Sequence, residues 1–154
     1  MNVQVLFHDS CFDGAASAAV FTRFYRERVR PDARFSYRGL SHQAGGAAID
    51  PAVFTGDENV IVDFRYSQDP RLTWWFDHHV SAFQQPGDEA HFRADTSGHK
   101  FHDAHRKSCT VYLADVARER FGWDPSPLGE LLHWAEIIDG ALFPNPEMAV
   151  ALEE

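Results

Sequence analysis

Several apolar segments of this 154-residue chain stop abruptly on a carboxylate or an imidazole. Val60-Ile61-Val62 ends on Asp63, and Leu72–Phe76 ends on Asp77-His78-His79. Asn2–Phe7, carrying Val3, Val5, Leu6 and Phe7, runs straight into His8-Asp9-Ser10-Cys11-Phe12-Asp13-Gly14. A later segment with Leu128, Leu131, Leu132, Trp134, Ala135 and Ile138 closes on Asp139-Gly140. A carboxylate placed just beyond a buried segment carries a desolvation cost unless it is paired or holds a metal. Four such places in one small domain are hard to explain as solvated loops. They supply the hard oxygen and imidazole donors that Mn²⁺ and Mg²⁺ prefer.

The segments themselves set the fold class. Asn2–Phe7, Ala33–Tyr37, Val60–Val62 and Leu72–Phe76 read as strands. Gly14-Ala15-Ala16-Ser17-Ala18-Ala19 opens a helix running to about Val29, and Pro31 stops it. Its small residues let the helix lie close to the sheet. Ser108 caps a helix over Thr110–Phe121, and another starts near Pro127. The strands are separated by long connections of helical character, which favours parallel pairing over hairpins. The expectation is an α/β domain with a doubly wound, mainly parallel sheet and helices on both faces. Ligands of such sheets bind in the crevice at the carboxyl ends of the strands, where the aspartates fall. Gln84–Lys107 is polar and poorly periodic and reads as a long loop or insertion, of the kind that is usually functional or disordered. Glu147–Leu152 could begin one more helix.

The whole chain excludes several classes of function. A length of 154 residues suits one domain, and 44% hydrophobic with 24% charged residues is ordinary for a globular protein. No apolar run reaches membrane-spanning length. The first residues lack a basic region or cleavage site, and Cys11 and Cys109 do not make a disulfide framework, so the expected location is cytoplasmic. A net charge of −9 argues against passive binding along duplex nucleic acid. It is compatible with an anionic substrate once divalent cations fill the carboxylate cluster.

The ordered set of motifs, His8 to Gly14, Val62-Asp63-Phe64, Asp77-His78-His79 and Ile138-Asp139-Gly140, resembles the DHH phosphoesterase superfamily. That superfamily includes single-strand exonucleases, nanoRNases, cyclic-dinucleotide phosphodiesterases, exopolyphosphatases and manganese inorganic pyrophosphatases. The likeness covers residues 1 to about 145, with 146–154 as the start of a linker or terminal helix. The resemblance implies a second, substrate-binding domain beyond a linker, so either the natural product is longer or this is a minimal domain with an open site. The resemblance implies a centre for two metal ions, Mn²⁺ with Mg²⁺ or Zn²⁺ as substitutes. His8 would hold the first metal and Asp13 the second, Asp63 would bridge them, and His78 and Asp139 would complete the second. Asp77 would orient a histidine, and His79 would face the substrate phosphate. Ser108-Cys109-Thr110 resembles the family's small-residue segment at a helix start, which makes Ser108 a candidate phosphate contact.

The sequence departs from the family where its first motif usually reads Asp-x-Asp, since Cys11 stands in the first of those positions. A thiolate is a soft ligand that suits Zn²⁺ better than Mn²⁺. Cys11 is therefore either a further metal ligand or a buried structural residue, with Asp9 as a substitute ligand after local rearrangement. The function implied is hydrolysis of a phosphoester or phosphoanhydride, with a small phosphate-containing molecule or a short single-stranded oligonucleotide as substrate. The alternatives are a catalytically weakened metal-binding or ligand-sensing module, and a zinc protein using Cys11 and the histidines.

Other candidates are read more plainly. Among the basic residues Arg65, Arg106 and Lys107, only Arg65 is placed to bind phosphate, two positions beyond Asp63. His99, His102 and His105, at spacings of three, read as part of a solvated loop in preference to a ligand set. Trp74, Trp75, Trp123 and Trp134 read as packing residues.

Overall fold

A computed structural model describes residues 1–142. The expected terminal helix over Glu147–Leu152 and the boundary at residue 145 lie outside the described residues. Strand β1 (Asn2–His8) leads into helix α1 (Phe12–Arg28), then β2 (Arg34–Leu40), β3 (Glu58–Val62) and β4 (Leu72–Asp77). Helix α2 (Asp88–Ala94), strand β5 (Lys100–His102), helix α3 (Cys109–Phe121) and helix α4 (Gly129–Asp139) follow. The five strands form one sheet in the order β2-β1-β3-β4-β5, and every pairing is parallel. The chain thus has the α/β fold expected of a doubly wound parallel sheet.

Each face of the sheet has its own core. Val3 and Val5 of β1, Val60 and Val62 of β3, and Trp74 and Phe76 of β4 point to one face, where α1 and α3 cover them with Phe21, Phe24, Leu113 and Ala117. Leu128, Leu131 and Leu132 at the start of α4 pack onto the same core. Leu6, Ile61, Leu72 and Trp75 point to the other face, beneath Val53, Phe54, Phe64, Tyr66 and Phe92. That second face is covered mostly by loops and a short 3-10 turn at Pro51–Val53, with α2 contributing Phe92. Leu72 and Trp75 can share a face because the register slips at Asn59/Val60, leaving Thr73 as an extra residue. The Thr73 hydroxyl donates to the Asn59 carbonyl at 3.0 Å within this bulge.

Two expectations change. The connection from β3 to β4, residues 63–71, contains no helix, and it crosses between neighbouring parallel strands by laying Phe64 and Tyr66 on the second core. Gln84–Lys107 is not one long loop, since it holds α2 and β5. His99 stacks on Trp74 with ring centroids 3.8 Å apart, and His102 lies parallel to Trp75 at 5.6 Å. These two histidines are packing residues, while His105 is exposed. Trp74, Trp75 and Trp123 are buried as expected, and Trp134 is half-buried. No helix among the described residues is long and apolar enough to cross a membrane.

The strand order places β2 and β3 on opposite sides of β1. The chain winds one way through α1 to β2 and then returns past β1 to β3. The carboxyl ends of β1 and β3 therefore flank a topological switch point, the place where ligands of such sheets bind.

Candidate metal centre

The residues that end the strands converge at this switch point. His8 is the last residue of β1, and Asp63 immediately follows β3. Asp77 closes β4, with His78 and His79 beyond it. Cys11 and Asp13 come from the cap and first turn of α1, and Asp139 is the last residue of α4. The small-residue start of α1 is what permits this approach. A Cβ on Gly14 would lie 2.2 Å from the His8 carbonyl oxygen, so only glycine lets the helix sit this close to β1.

Asp63 is the centre of the arrangement. It is 1% exposed and adopts a left-handed backbone, φ 56°, a conformation that aspartate tolerates better than most residues. Its amide still donates to the Phe76 carbonyl at 2.9 Å, prolonging the sheet ladder, while the turn directs Phe64 to the second core. The two carboxylate oxygens face different partners. Oδ2 lies 3.6 Å from His8 Nδ1 and 3.6 Å from Cys11 Sγ. Oδ1 lies 3.1 Å from His78 Nε2. His78 Nε2 is in turn 3.5 Å from both Asp13 Oδ2 and Asp139 Oδ2. Three overlapping sets of donors result, His8–Cys11–Asp63, Asp13–His78–Asp139 and Asp63–Asp77–His78–His79, each with ligand atoms within 4.8 Å of one another; the first two lie on either side of Asp63.

The supporting contacts orient these donors. Asp13 accepts from the Ser108 hydroxyl at 2.9 Å, the Cys109 amide at 2.7 Å, the Thr110 amide at 3.0 Å and the Thr110 hydroxyl at 2.6 Å. The amino end of α3 is thereby aimed at the Asp13 carboxylate, which its free amides and dipole favour. His78 Nδ1 donates to the Arg106 carbonyl at 2.9 Å, which directs Nε2 at the Asp63 carboxylate. His79 Nδ1 pairs with Asp77 Oδ1 at 2.6 Å.

The crowded carboxylates and imidazoles perturb one another. Burial, and then the neighbouring Asp13 charge, push the Asp139 acid up to about 6. Burial likewise raises Asp63, with the His78 hydrogen bond opposing it and Asp13 adding to it. For His78, burial acts to lower the pKa, but the bonds to Asp63 and the Arg106 carbonyl and the Asp13 charge outweigh it and carry it to about 9. The Asp77 hydrogen bond raises His79. Burial and the Asp63 charge push the Cys11 thiol up to about 11. Two buried polar atoms of the cluster, His8 Nδ1 and Asp77 Oδ2, have no hydrogen-bond partner among the described residues. Divalent cations would satisfy the orphaned imidazole and relieve the repulsion among the carboxylates, so the donor set fits the metals its chemistry implies.

The remaining expected site residues are placed differently from one another. His79 is partly exposed at the mouth, 3.9 Å from Asp63 Oδ1. Ser108 is buried, and its hydroxyl is used twice, donating to Asp13 and accepting from the Val111 amide as the cap of α3. Both roles of the hydroxyl are taken up within the fold, by the Asp13 carboxylate and by the cap of α3. Arg65 is also buried, and its guanidinium donates to the Ala47 carbonyl, bracing the loop after β2. Arg106 pairs with Asp115. Asp9 accepts from the Ser10 amide at 2.8 Å and packs against Gly39 of β2, away from both donor sets. Reading from sequence overlooked Thr110, the Arg106 carbonyl and His42. The His42 ring stacks on Phe64 at 4.7 Å and meets His8 edge-on at 5.0 Å. The Ser108-Cys109-Thr110 segment was the available signal for Thr110; no motif marks His42.

No protein-family model matches the chain, and no curated protein matches it. The assignment of the centre rests on its geometry.

Proposed function

We propose that this chain is a metal-dependent hydrolase of phosphoester or phosphoanhydride bonds. The observation that carries the reading is the Asp63 carboxylate, buried between two donor sets with one oxygen turned to each. The motif resemblance to the DHH phosphoesterases supports it, because the residues quoted for that resemblance are those that meet here. Two Mn²⁺ ions, or Mg²⁺ or Zn²⁺ in their place, would supply a hydroxide nucleophile at neutral pH and neutralise charge on the phosphoryl oxygens.

The chain's own residues have distinct tasks in this reading. Asp63 holds the two halves at a fixed spacing. The amino end of α3 and the Thr110 hydroxyl fix the Asp13 carboxylate. The Arg106 carbonyl fixes the His78 ring so that Nε2 faces the carboxylates. Asp77 holds His79 by Nδ1 and favours its protonated form, which leaves Nε2–H at the mouth to donate to a phosphoryl oxygen. The substrate class is a small phosphate-containing molecule or a short single-stranded oligonucleotide, since a net charge of −9 argues against passive binding along a duplex. Two free thiols, Cys11 and Cys109, accord with a reducing cytoplasmic location.

One observation favours a second reading, a metal-binding or ligand-sensing module with little turnover. Of the three groups expected to hold phosphate, Arg65 and Ser108 are committed elsewhere and His79 alone faces the centre. Assaying the Mn²⁺-loaded protein on a chromogenic phosphodiester, pyrophosphate and a short oligonucleotide separates the two. Turnover on at least one of these, abolished by Asp63→Asn, is the expected result. Stoichiometric metal uptake with all three at background would put the sensing module first.

A further inference from the structure

Resting on the metal-centre reading above, we infer that the two halves of the centre take different metals. The His8–Cys11–Asp63 half is a site for a thiophilic cation such as Zn²⁺, bound through a thiolate. The Asp13–His78–Asp139 half is a site for a harder one such as Mn²⁺.

The geometry of the first half is compatible with zinc. Typical zinc distances are about 2.3 Å to sulfur and about 2.1 Å to nitrogen or oxygen. In a tetrahedron these imply a sulfur-to-oxygen edge of about 3.6 Å and a nitrogen-to-oxygen edge of about 3.4 Å. Cys11 Sγ and His8 Nδ1 each lie 3.6 Å from Asp63 Oδ2. As a thiol, Cys11 donates to Asp63 over this distance, but 3.6 Å is too long for a strong hydrogen bond from His8 Nδ1, which has no hydrogen-bond partner among the described residues. The edges from His78 Nε2 to Asp13 and Asp139 in the other half are of similar length, 3.5 Å each, so the sulfur and not the spacing distinguishes the two halves. One imidazole, one thiolate and one carboxylate make a borderline-soft set with a fourth position left for water. Asp9 cannot supply a hard alternative, as its carboxylate is turned to the Ser10 amide and Gly39.

The second half has no sulfur. Its donors are the carboxylates of Asp13 and Asp139, Asp63 Oδ1 and one imidazole. Oxygen-rich sets of this kind suit Mn²⁺ or Mg²⁺. Asp63 would then join a soft site through Oδ2 to a hard site through Oδ1.

The test is sequential loading of the metal-free protein. After one equivalent of Zn²⁺, then excess Mn²⁺ and desalting, metal analysis should find about one of each per chain, since free Zn²⁺ in excess would outcompete Mn²⁺ at either half. Added Co²⁺ should give a thiolate-to-cobalt charge-transfer absorption at the first equivalent, absent from Cys11→Ser. Cys11→Asp should exchange the bound Zn²⁺ for Mn²⁺. In Cys11→Ser, Zn²⁺ affinity should fall by at least the roughly 10–100-fold that loss of a metal's supporting partner costs. A readout needing no variant is alkylation of Cys11, the half-exposed thiol, Cys109 being wholly buried. Zn²⁺ should protect it and Mn²⁺ alone should not. Two Co²⁺ bound without the charge-transfer band, or equal alkylation with and without Zn²⁺, would overturn the mixed-metal assignment and leave the two-metal centre standing. Failure to bind any divalent metal would overturn both.

Discussion

Gly14→Ala is a small change placed where the structure allows none. Two effects oppose each other. Alanine is favoured over glycine in a helix interior by about 0.8–1 kcal/mol, and less in a first turn such as this one. Against this, the new Cβ would lie 2.2 Å from the His8 carbonyl oxygen, 3.0 Å from its carbon and 3.1 Å from the His8 Cβ. The obstructing atoms are mostly backbone of a central strand, so no side chain can swing aside. Relief requires α1 to move from β1 by on the order of 1 Å, and overpacking of this kind costs about 1–3 kcal/mol. The clash should win, with a net loss of about 1–2 kcal/mol in urea unfolding of the metal-free protein. The same displacement separates Cys11 and Asp13, carried by α1, from His8 and Asp63 at the ends of β1 and β3, so metal affinity should fall as well. Calorimetric titration with Mn²⁺ and Zn²⁺ would measure it. A variant as stable as the parent, or more so, and binding metal with unchanged affinity would show that the close approach of α1 to β1 does not set the centre.

Thr110→Val keeps the shape of the side chain and removes the 2.6 Å hydroxyl bond to Asp13, leaving three donors on that carboxylate. It should cost about 1.5–3 kcal/mol in unfolding free energy and about 10–100-fold in metal affinity, both checked by the same two assays; unchanged metal affinity would remove Thr110 from the support of the centre. The pH dependence follows from Asp139, raised to about 6, and His78, raised to about 9. In the metal-free fold both groups hold their protons more tightly than in the unfolded chain. Their stabilising contribution is present in acid and is lost as pH rises through about 6 and then about 9. Metal uptake must displace the same protons, so affinity should rise over that range while metal-free stability falls. Titrations in buffers of different ionisation enthalpy would detect the released protons, and an affinity that is flat from pH 5.5 to 8 would contradict the placement of these two groups in the centre.

What could be read from the sequence was what a contiguous segment decides. Val60–Val62 is apolar throughout and Leu72–Phe76 is broken only by Thr73, so their strand character and the position of Asp63 and Asp77 at their ends needed no tertiary information. The convergence of His8, Asp13, Asp63, His78 and Asp139 follows from the parallel order of those strands. Strand β5 was not legible because it is only three residues long and only Phe101 in it is apolar. Its support comes from elsewhere, with His99 and His102 lying on Trp74 and Trp75 of β4. Ser108 and Arg65 carry groups that bind phosphate in other settings, and sequence does not tell which way a side chain turns. Here one caps a helix and holds Asp13, and the other braces the Ala47 loop. The direction of the Cys11 sulfur was equally open, and the fold turns it towards Asp63 because Cys11 is the cap residue of α1.

The central claim is that Asp63 bridges two metal ions, and anomalous scattering from crystals of the metal-loaded protein tests it most directly. The account predicts two peaks about 3.5–4 Å apart, one beside His8 and Cys11 and one beside Asp13, His78 and Asp139, with an Asp63 oxygen bonded to each. A single peak, or two peaks that do not share Asp63, would contradict it.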